Sequence, residues 1–379
     1  MASPGSGACD HFFVHHTVFL CGDVMPGRGV DQILPNPGDP ALVERGVRDA
    51  RTYVTLAERV SGPIPRPAGF SWPWGAANAV LEELAPDARL LNLETSVTAD
   101  GDFAPGKGVH YRMNPANLGF LTAIHPDVCV LANNHVLDFG LRGLEDTLDA
   151  LASSGLRTAG AGRDGSDAAR AVTVKIHSGR NVVVTAGALE SSGVPRRWAA
   201  TARRPGVRFV PDLSSSRATE IAEGVVAAKR PGDLAVVSLH WGSNWGYDVE
   251  AGQIRFAHRL ADAGVDIVYG HSSHHPRPIE VYQGKLILYG CGDLVNDYEG
   301  IRGYEAFRDD LRLLYFAGFD PAGALISLRM APMRARKMSL EHAGEADAEW
   351  LRTVLEHACG PFGTRIGRDP DGMLTVHSG

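Results

Sequence analysis

The sequence predicts an α/β fold, and three observations carry that prediction. Short β-branched and apolar runs recur along the 379 residues, and each stops abruptly at polar side chains. Segments with helical spacing of apolar residues lie between them. Strand, polar loop and helix then alternate, with no repeat of fixed period and no low-complexity tract.

Thr17 to Cys21 is the first such run and ends at Gly22-Asp23; others end at Leu91-Asn92, Leu131-Ala132, Leu239-His240 and Tyr269-Gly270. Helical period marks Val47 to Val60, Ala76 to Leu84, Leu144 to Leu151, Ala218 to Ala228 and Ile254 to Ala263. Pro35, Pro37, Pro40, Pro63, Pro65, Pro67 and Pro73 break residues 35–75 into irregular loops around one helix, an insertion beside the site. A second irregular stretch, Glu190 to Ser216, follows a strand pair near Val172 to Ala186 and has the character of a lid or substrate-recognition loop. Beyond Asp310 come two strand-like runs, Leu311 to Phe319 and Leu325 to Met330, and a helix near Ala346 to Ala358. The expectation is a single domain over residues 17–358 with insertions at about 35–75 and 190–216, a flexible segment 1–16 and a loosely held tail 359–379.

Hydrophobic residues at 44% and charged residues at 21% exclude a disordered or coiled-coil chain. A net charge of -7 argues against a surface built to neutralise phosphate backbones, so no nucleic-acid partner is expected. No apolar run approaches the roughly 20 residues of a membrane span, and none near the amino terminus suits a signal peptide, so the expected location is cytoplasmic. The five cysteines (Cys9, Cys21, Cys129, Cys291, Cys359) include no C-x-x-C pair and are expected reduced and mostly buried. Gly160 to Gly165 matches G-x-G-x-x-G but lacks the preceding strand and the following acid of a dinucleotide site.

Five segments gather Asp, Glu, Asn and His at predicted strand ends: Gly22-Asp23-Val24-Met25, Asn92-Leu93-Glu94, Asn133-Asn134-His135, His240-Trp241-Gly242, and Gly270 to His275. The carboxyl ends of strands form the crevice of an α/β sheet, so segments far apart in sequence can converge there. Each has a plain alternative: Asp23 as a helix cap, Asn133 to His135 as a polar turn, His240 as a core histidine. Glu94 follows so apolar a strand that it needs a cation or an Arg partner, and three imidazoles at His271, His274 and His275 are costly to pack without an organising ion. Carboxylate, amide and imidazole together suit one or two divalent ions, with Mn, Fe or Zn preferred and Mg or Ca as hard-ion alternatives.

The strings Gly-Asp-Val-Met-Pro-Gly-Arg, Asn-Leu-Glu-Thr, Asn-Asn-His-Val-Leu-Asp-Phe-Gly, His-Trp-Gly and Gly-His-Ser-Ser-His-His-Pro-Arg-Pro-Ile-Glu resemble the CapA (poly-γ-glutamate capsule biosynthesis) family over about residues 17–300. The resemblance implies a calcineurin-like metallophosphatase-type β-sandwich flanked by helices, an α/β/β/α arrangement with its metal site at one edge. It further implies Asp23, Glu94, Asn134, His240, His271 and His274 as metal ligands and His135, oriented by Asp138, as the catalytic histidine. Met25 stands where such phosphatases carry a histidine, which removes a nitrogen ligand and weakens the case for phosphoester hydrolysis.

Soluble members resembling this chain are lasso-peptide epimerases, so the resemblance implies a metal-dependent isomerase that inverts the α-carbon of a precursor peptide's carboxy-terminal residue, with the precursor and its leader-binding protein as partners. A metal holding the terminal carboxylate stabilises an enolate-like intermediate, and two groups on opposite faces exchange the proton. His135, His274, His275, Asp23 and Asp293 are the candidates. Trp241 and Trp245 can pack an aromatic side chain, with a structural cluster as the alternative; Arg112 and Arg277 can clamp a carboxylate, with surface pairing as theirs. The competing expectations are a metallohydrolase of phosphoester or γ-glutamyl amide bonds, and a protein of poly-γ-glutamate biosynthesis or binding.

Overall fold

The computed structural model describes residues 16–378. The expected segment 1–16 falls outside that range except for His16, which opens the first strand.

Two sheets stack face to face. The larger runs in the order Thr364–Arg368, Leu374–Ser378, Leu325–Arg336, Leu311–Phe319, His16–Val24, Ala88–Leu93, Val128–Val130, Arg157–Ala159, with Asp293–Val295 also paired to His16–Val24 and Ser339–His342 to Leu325–Arg336. The smaller runs Val172–Lys175, Asn181–Ala188, Leu234–His240, Ile267–His271, Lys285–Leu288, Ile279–Tyr282. Within each sheet the strands that carry the conspicuous polar ends run parallel to one another, so those ends collect on one edge of each.

The strands read as near-continuous apolar runs because both faces are covered. In the smaller sheet, Val182, Val184, Val236, Ile267 and Tyr269 face the larger sheet. Their alternates Val183, Ala235, Val237 and Val268 pack with Ile221, Ala222 and Val225 of helix Ser215–Val226 and Phe256, Ala257 and Leu260 of helix Ala251–Asp262. Helix Gly140–Ser153 buries Leu144, Leu148 and Leu151 over the larger sheet. The α/β/β/α order is thus the one expected. Beneath the site the Tyr269 hydroxyl donates to the Cys21 carbonyl, tying one sheet to the other.

The helix expected over Val47 to Val60 begins later, as Arg51–Ser61; Val47–Asp49 instead pairs with Ala41–Glu44 as a hairpin. The carboxy-terminal stretch is not a loose tail: Thr364–Arg368 and Leu374–Ser378 pair antiparallel, and Leu374 and Thr375 extend the larger sheet against Met330 and Arg329. Alternating residues such as Ile366 and Leu374 reach the core, which holds the strands down. Cys21, Cys129, Cys291 and Cys359 are free and buried, and Cys9 lies outside the described residues. Among the described residues no helix is long and apolar enough to cross a membrane.

Candidate metal centre

Register places the first donors. Asp23 sits opposite both Asn92 and Asp293 across parallel pairings, and His240 opposite His271. Gly22 allows this crowding, because a Cβ there would lie 2.1 Å from the Gly292 carbonyl oxygen. Ser272 turns sharply at φ +100°, ending the strand after His271 and aiming its N–H at Asp23 Oδ2, 3.2 Å away.

Asp23, His240 and His271 each present an atom within 4.8 Å of the others, and all three are fully buried. His240 Nδ1 and His271 Nδ1 stand 2.7 Å apart, and Asp23 Oδ1 lies 4.0 Å from His271 Nδ1. Glu94 extends the cluster, with Oε1 3.6 Å from His240 Nε2 and 4.0 Å from His135 Nε2. Asn134 Oδ1 is 3.2 Å from His240 Nε2. Supporting bonds fix these groups. Asn92 donates to both Asp23 and Glu94 at 2.8 Å, and Asn133 donates to Asn92 at 3.0 Å. Ser238 Oγ lies 2.6 Å from His271 Nε2.

Electrostatics test whether a cation belongs here. Burial, reinforced by the charge of Asp293, pushes the Asp23 carboxyl up to about 7; burial and Asp23 hold Glu94 well above the usual range. Burial pushes His271 down to about 3 and, with the neighbouring imidazoles and Lys107, drives His240 well below its ordinary value. Among the described residues neither carboxylate has a direct Lys or Arg partner; their ion-pair contacts are to histidines alone. Two buried acids and two buried imidazoles, all disfavoured in their charged forms, are the donor set that a divalent ion neutralises. The residues fit the group.

Two His–Asp pairs flank the cluster. His135 Nδ1 faces Asp138 Oδ2 at 2.6 Å, and Asp138 also takes the Tyr111 N–H at 2.7 Å and pairs with Lys107 at 2.5 Å. His274 Nδ1 faces Asp293 Oδ1 at 2.9 Å, and Asn296 donates to the other Asp293 oxygen at 2.7 Å. Burial, which outweighs the Asp138 charge, pushes His135 down to about 4. For His274 the desolvation is overcome by the charge and hydrogen bond of Asp293, so it is raised. Tyr111 packs edge-on against His135, Tyr298 edge-on against His274, and the two hydroxyls meet at 3.0 Å. The two pairs therefore line one wall.

The remaining expected residues are placed as follows. His274 stands beside the cluster rather than in it, since its Nε2 is 3.0 Å from Asn244. His275 turns away: Nε2 accepts the Gly246 N–H and Nδ1 faces the Pro276 carbonyl, both at 3.0 Å, so its nitrogens serve the loop and not proton transfer. Arg277 gives Nε and Nη2 to the Gly246 and Asp248 carbonyls and the Ser243 hydroxyl, clamping that same loop, while its buried Nη1 has no hydrogen-bond partner among the described residues. Trp241 is buried under the outer helices, with Nε1 on the Tyr289 carbonyl. Trp245 stacks on Tyr304 and flanks His274 at 5.2 Å. Arg112 lies over Phe139 and reaches Asp39 at the surface.

Asn92 stands in the second polar segment without an assigned role, and Ser238 escaped the sequence reading; each lies two residues before a site residue, Glu94 and His240, a spacing that could have flagged it. Other contributors escaped it as well. Lys107, Tyr111 and Tyr298 sit in loops or short strands with no such signal. Arg28, from the first motif, is 4% exposed, bonded to Glu44 at 3.0 Å and Asp297 at 2.5 Å and stacked on Tyr53 and Tyr111. It braces the wall from behind.

A two-sheet α/β/β/α protein with a carboxylate–imidazole cluster at the carboxyl edge of both sheets is the class that fold and site define. Residues 17–298 match the family described as bacterial capsule synthesis protein PGA_cap, and the chain belongs to that family. It is 57% identical over 362 residues, 95% of each chain, to a probable polyglutamine synthesis accessory protein of Mycobacterium tuberculosis. It is 32% identical to the PGA biosynthesis protein CapA of Bacillus subtilis, covering 59% of this chain and 56% of that one. The capsule biosynthesis protein CapA of Bacillus anthracis is 26% identical over 79% of this chain and 63% of its own length.

Proposed function

We propose that this chain is a metal-dependent acid–base enzyme of polyglutamyl polymer synthesis, acting on the polymer chain itself. The observation that carries the reading is the Asp23–His240–His271 cluster flanked by two His–Asp pairs whose histidines are shifted in opposite directions. Family membership and the names of the relatives supply the polymer. It stands in place of the lasso-peptide precursor and leader-binding protein expected from the sequence, because the relatives reported above are named for polyglutamine synthesis and PGA biosynthesis.

Asp23, His240 and His271, with Glu94 and Asn134 adjoining, would hold a divalent ion, which when bound would supply Lewis-acid polarisation of a substrate carbonyl or carboxylate. His135, neutral at physiological pH and oriented through Nδ1 by Asp138, keeps Nε2 free as a proton acceptor. His274, whose proton affinity the charge and hydrogen bond of Asp293 raise, is assigned the donor role. Groups whose affinities for a proton are driven apart in this way divide the acid and base roles between them. Hydrolysis or transfer of a glutamyl amide uses that division directly. Inversion of a glutamyl α-carbon is the second reading, favoured by the presence of two separate imidazoles.

The test is incubation of metal-reconstituted protein with oligoglutamate in D2O, followed by mass spectrometry. Shortened or transferred chains support amide chemistry, and one-deuteron α-exchange without cleavage supports inversion. An unchanged polymer under every metal tried overturns the proposal.

A further inference from the structure

Asn296 and Tyr298, which support Asp293 and pack on His274, also line a cavity of about 270 Å³. It lies between the end of helix Arg51–Ser61, the segment 296–310 and the strands Leu311–Phe319 and Leu325–Arg336. No donor of the metal centre lines it. Four arginines and four acids do, and their charges are unevenly satisfied. Arg308 and Arg334 pair with Asp310 and, outside the cavity, with Asp347. Glu299 takes the Ser61 hydroxyl and the Lys337 N–H. Arg336 and Glu305, both exposed, bond the Ser61 hydroxyl and the Gly303 N–H. Arg312 and Asp309 remain.

Arg312 is 1% exposed on an otherwise uncharged strand. Its Nη1 donates to the Asp309 and Leu311 carbonyls. Among the described residues its buried Nε has no partner, Nη2 makes no hydrogen bond, and the side chain makes no ion pair. Nε and Nη2 form one edge of the guanidinium, the edge that grips a carboxylate through two parallel N–H bonds. Arg28 shows how this protein holds a buried guanidinium for structure alone, with Glu44 on one side and Asp297 on the other. Arg312 has only two carbonyls, an expensive state for a buried charge. Asp293 and Asp309 act on it only through space. Asp309, half-buried three residues earlier on the same cavity wall, meets Arg312 through its backbone and not its carboxylate. Among the described residues that carboxylate has no ion-pair partner either. Desolvation raises its proton affinity, a cost that a cation in the cavity would remove.

We propose that this cavity binds a small amino-acid zwitterion, with its carboxylate on the free edge of Arg312 and its ammonium on Asp309. A bare carboxylate leaves Asp309 unmatched, and a phosphate dianion is repelled by Asp309 and Glu299 on the same wall. The site is separate from the metal centre and does not depend on the chemistry assigned there. Asn296 lines the cavity and donates to Asp293, so the occupant lies one side chain away from the His274–Asp293 pair.

Binding is measured by isothermal titration calorimetry on the full chain after chelator treatment, with L-alanine, L-glutamine, propionate, propylamine and inorganic phosphate as separate titrants. At least one of the two zwitterions should bind. Propionate and propylamine, which each carry one of the two charges, should bind at least about tenfold more weakly. Arg312→Gln should weaken zwitterion binding by at least about tenfold with circular dichroism unchanged. Asp309→Asn should weaken the zwitterion and leave propionate as in wild type; being only half-buried, it carries the test if Arg312→Gln does not fold. Asp23→Ala should bind the zwitterion as wild type does, whether or not the protein turns over any polymer, so this site and the enzymatic reading stand or fall separately. Binding of neither zwitterion, equal binding of propionate, tighter binding of phosphate, an unaffected Asp309→Asn variant, or loss of binding in folded Asp23→Ala each overturns the proposal.

Discussion

Replacing Asp23 with Asn should stabilise the cation-free protein and at the same time abolish its response to divalent ions. In the folded chain burial and Asp293 move the Asp23 carboxyl from 3.8 to about 7. The unfolded chain releases its proton near the ordinary value, so between those two points the folded state holds the extra proton. Folding stability therefore falls as pH rises through that window, and the loss is complete above it. A shift of about three units corresponds to about 4 kcal/mol as an upper bound. Asn at this position keeps a single acceptor, so one of the bonds from Asn92 or the Ser272 N–H is lost, at a cost of about 1–2 kcal/mol. A net gain of about 2 kcal/mol at about pH 8 remains. The assay is urea unfolding of chelator-treated proteins, followed by the fluorescence of the six tryptophans, at acidic and alkaline pH. Wild type should weaken with rising pH more steeply than Asp23→Asn, and added Mn²⁺ or Zn²⁺ should raise the midpoint of wild type alone. A cation-free variant less stable than wild type at alkaline pH, or equal stabilisation of both by metal, would refute the reasoning.

Ser238→Ala removes the hydroxyl on His271 Nε2 and should lower metal affinity about 10- to 100-fold with the fold intact, read by competition against a chelating dye. Arg28→Met leaves Glu44 and Asp297 buried without their guanidinium and should cost about 3–5 kcal/mol in urea unfolding. Gly22→Ala drives a methyl group into the Gly292 carbonyl, a backbone contact that cannot rotate away; a loss of at least about 3 kcal/mol is expected, measured in the same way. His135→Gln should eliminate turnover of oligoglutamate while metal analysis gives the wild-type stoichiometry, because its nearest partner is Asp138 and not the three-residue cluster.

Strand ends were legible in the sequence because both sheets are covered on both faces: a run such as Leu234–His240 stays apolar until the chain leaves the core, so its first polar residue marks the edge where ligands collect. That logic brings Asp23, Glu94, Asn134, His240 and His271 into one neighbourhood. It does not extend to side chains after the edge, where direction is set by turn geometry. Adjacent histidines at 274 and 275 look equivalent in sequence, yet one pairs with Asp293 and the other is consumed by the Gly246 N–H and the Pro276 carbonyl. Arg277 reads in sequence as an anion clamp, yet its Nε and Nη2 hold two carbonyls and a hydroxyl of the following loop, and Nη1 alone is left without a partner among the described residues. The carboxy-terminal strands were missed because five-residue segments of mixed polarity acquire their pairing from a neighbour far away, here Leu325–Arg336.

Asp23 and Glu94 come from one sheet of the sandwich, and His240 and His271 from the other. The centre is consequently a seam, and an ion seated in it would act as a rivet between the two sheets. Cohesion of the halves and grip on the ion are one free energy viewed from two sides. Separating the two sheets would part the carboxylates from the imidazoles, so the donor set exists only in the assembled sandwich.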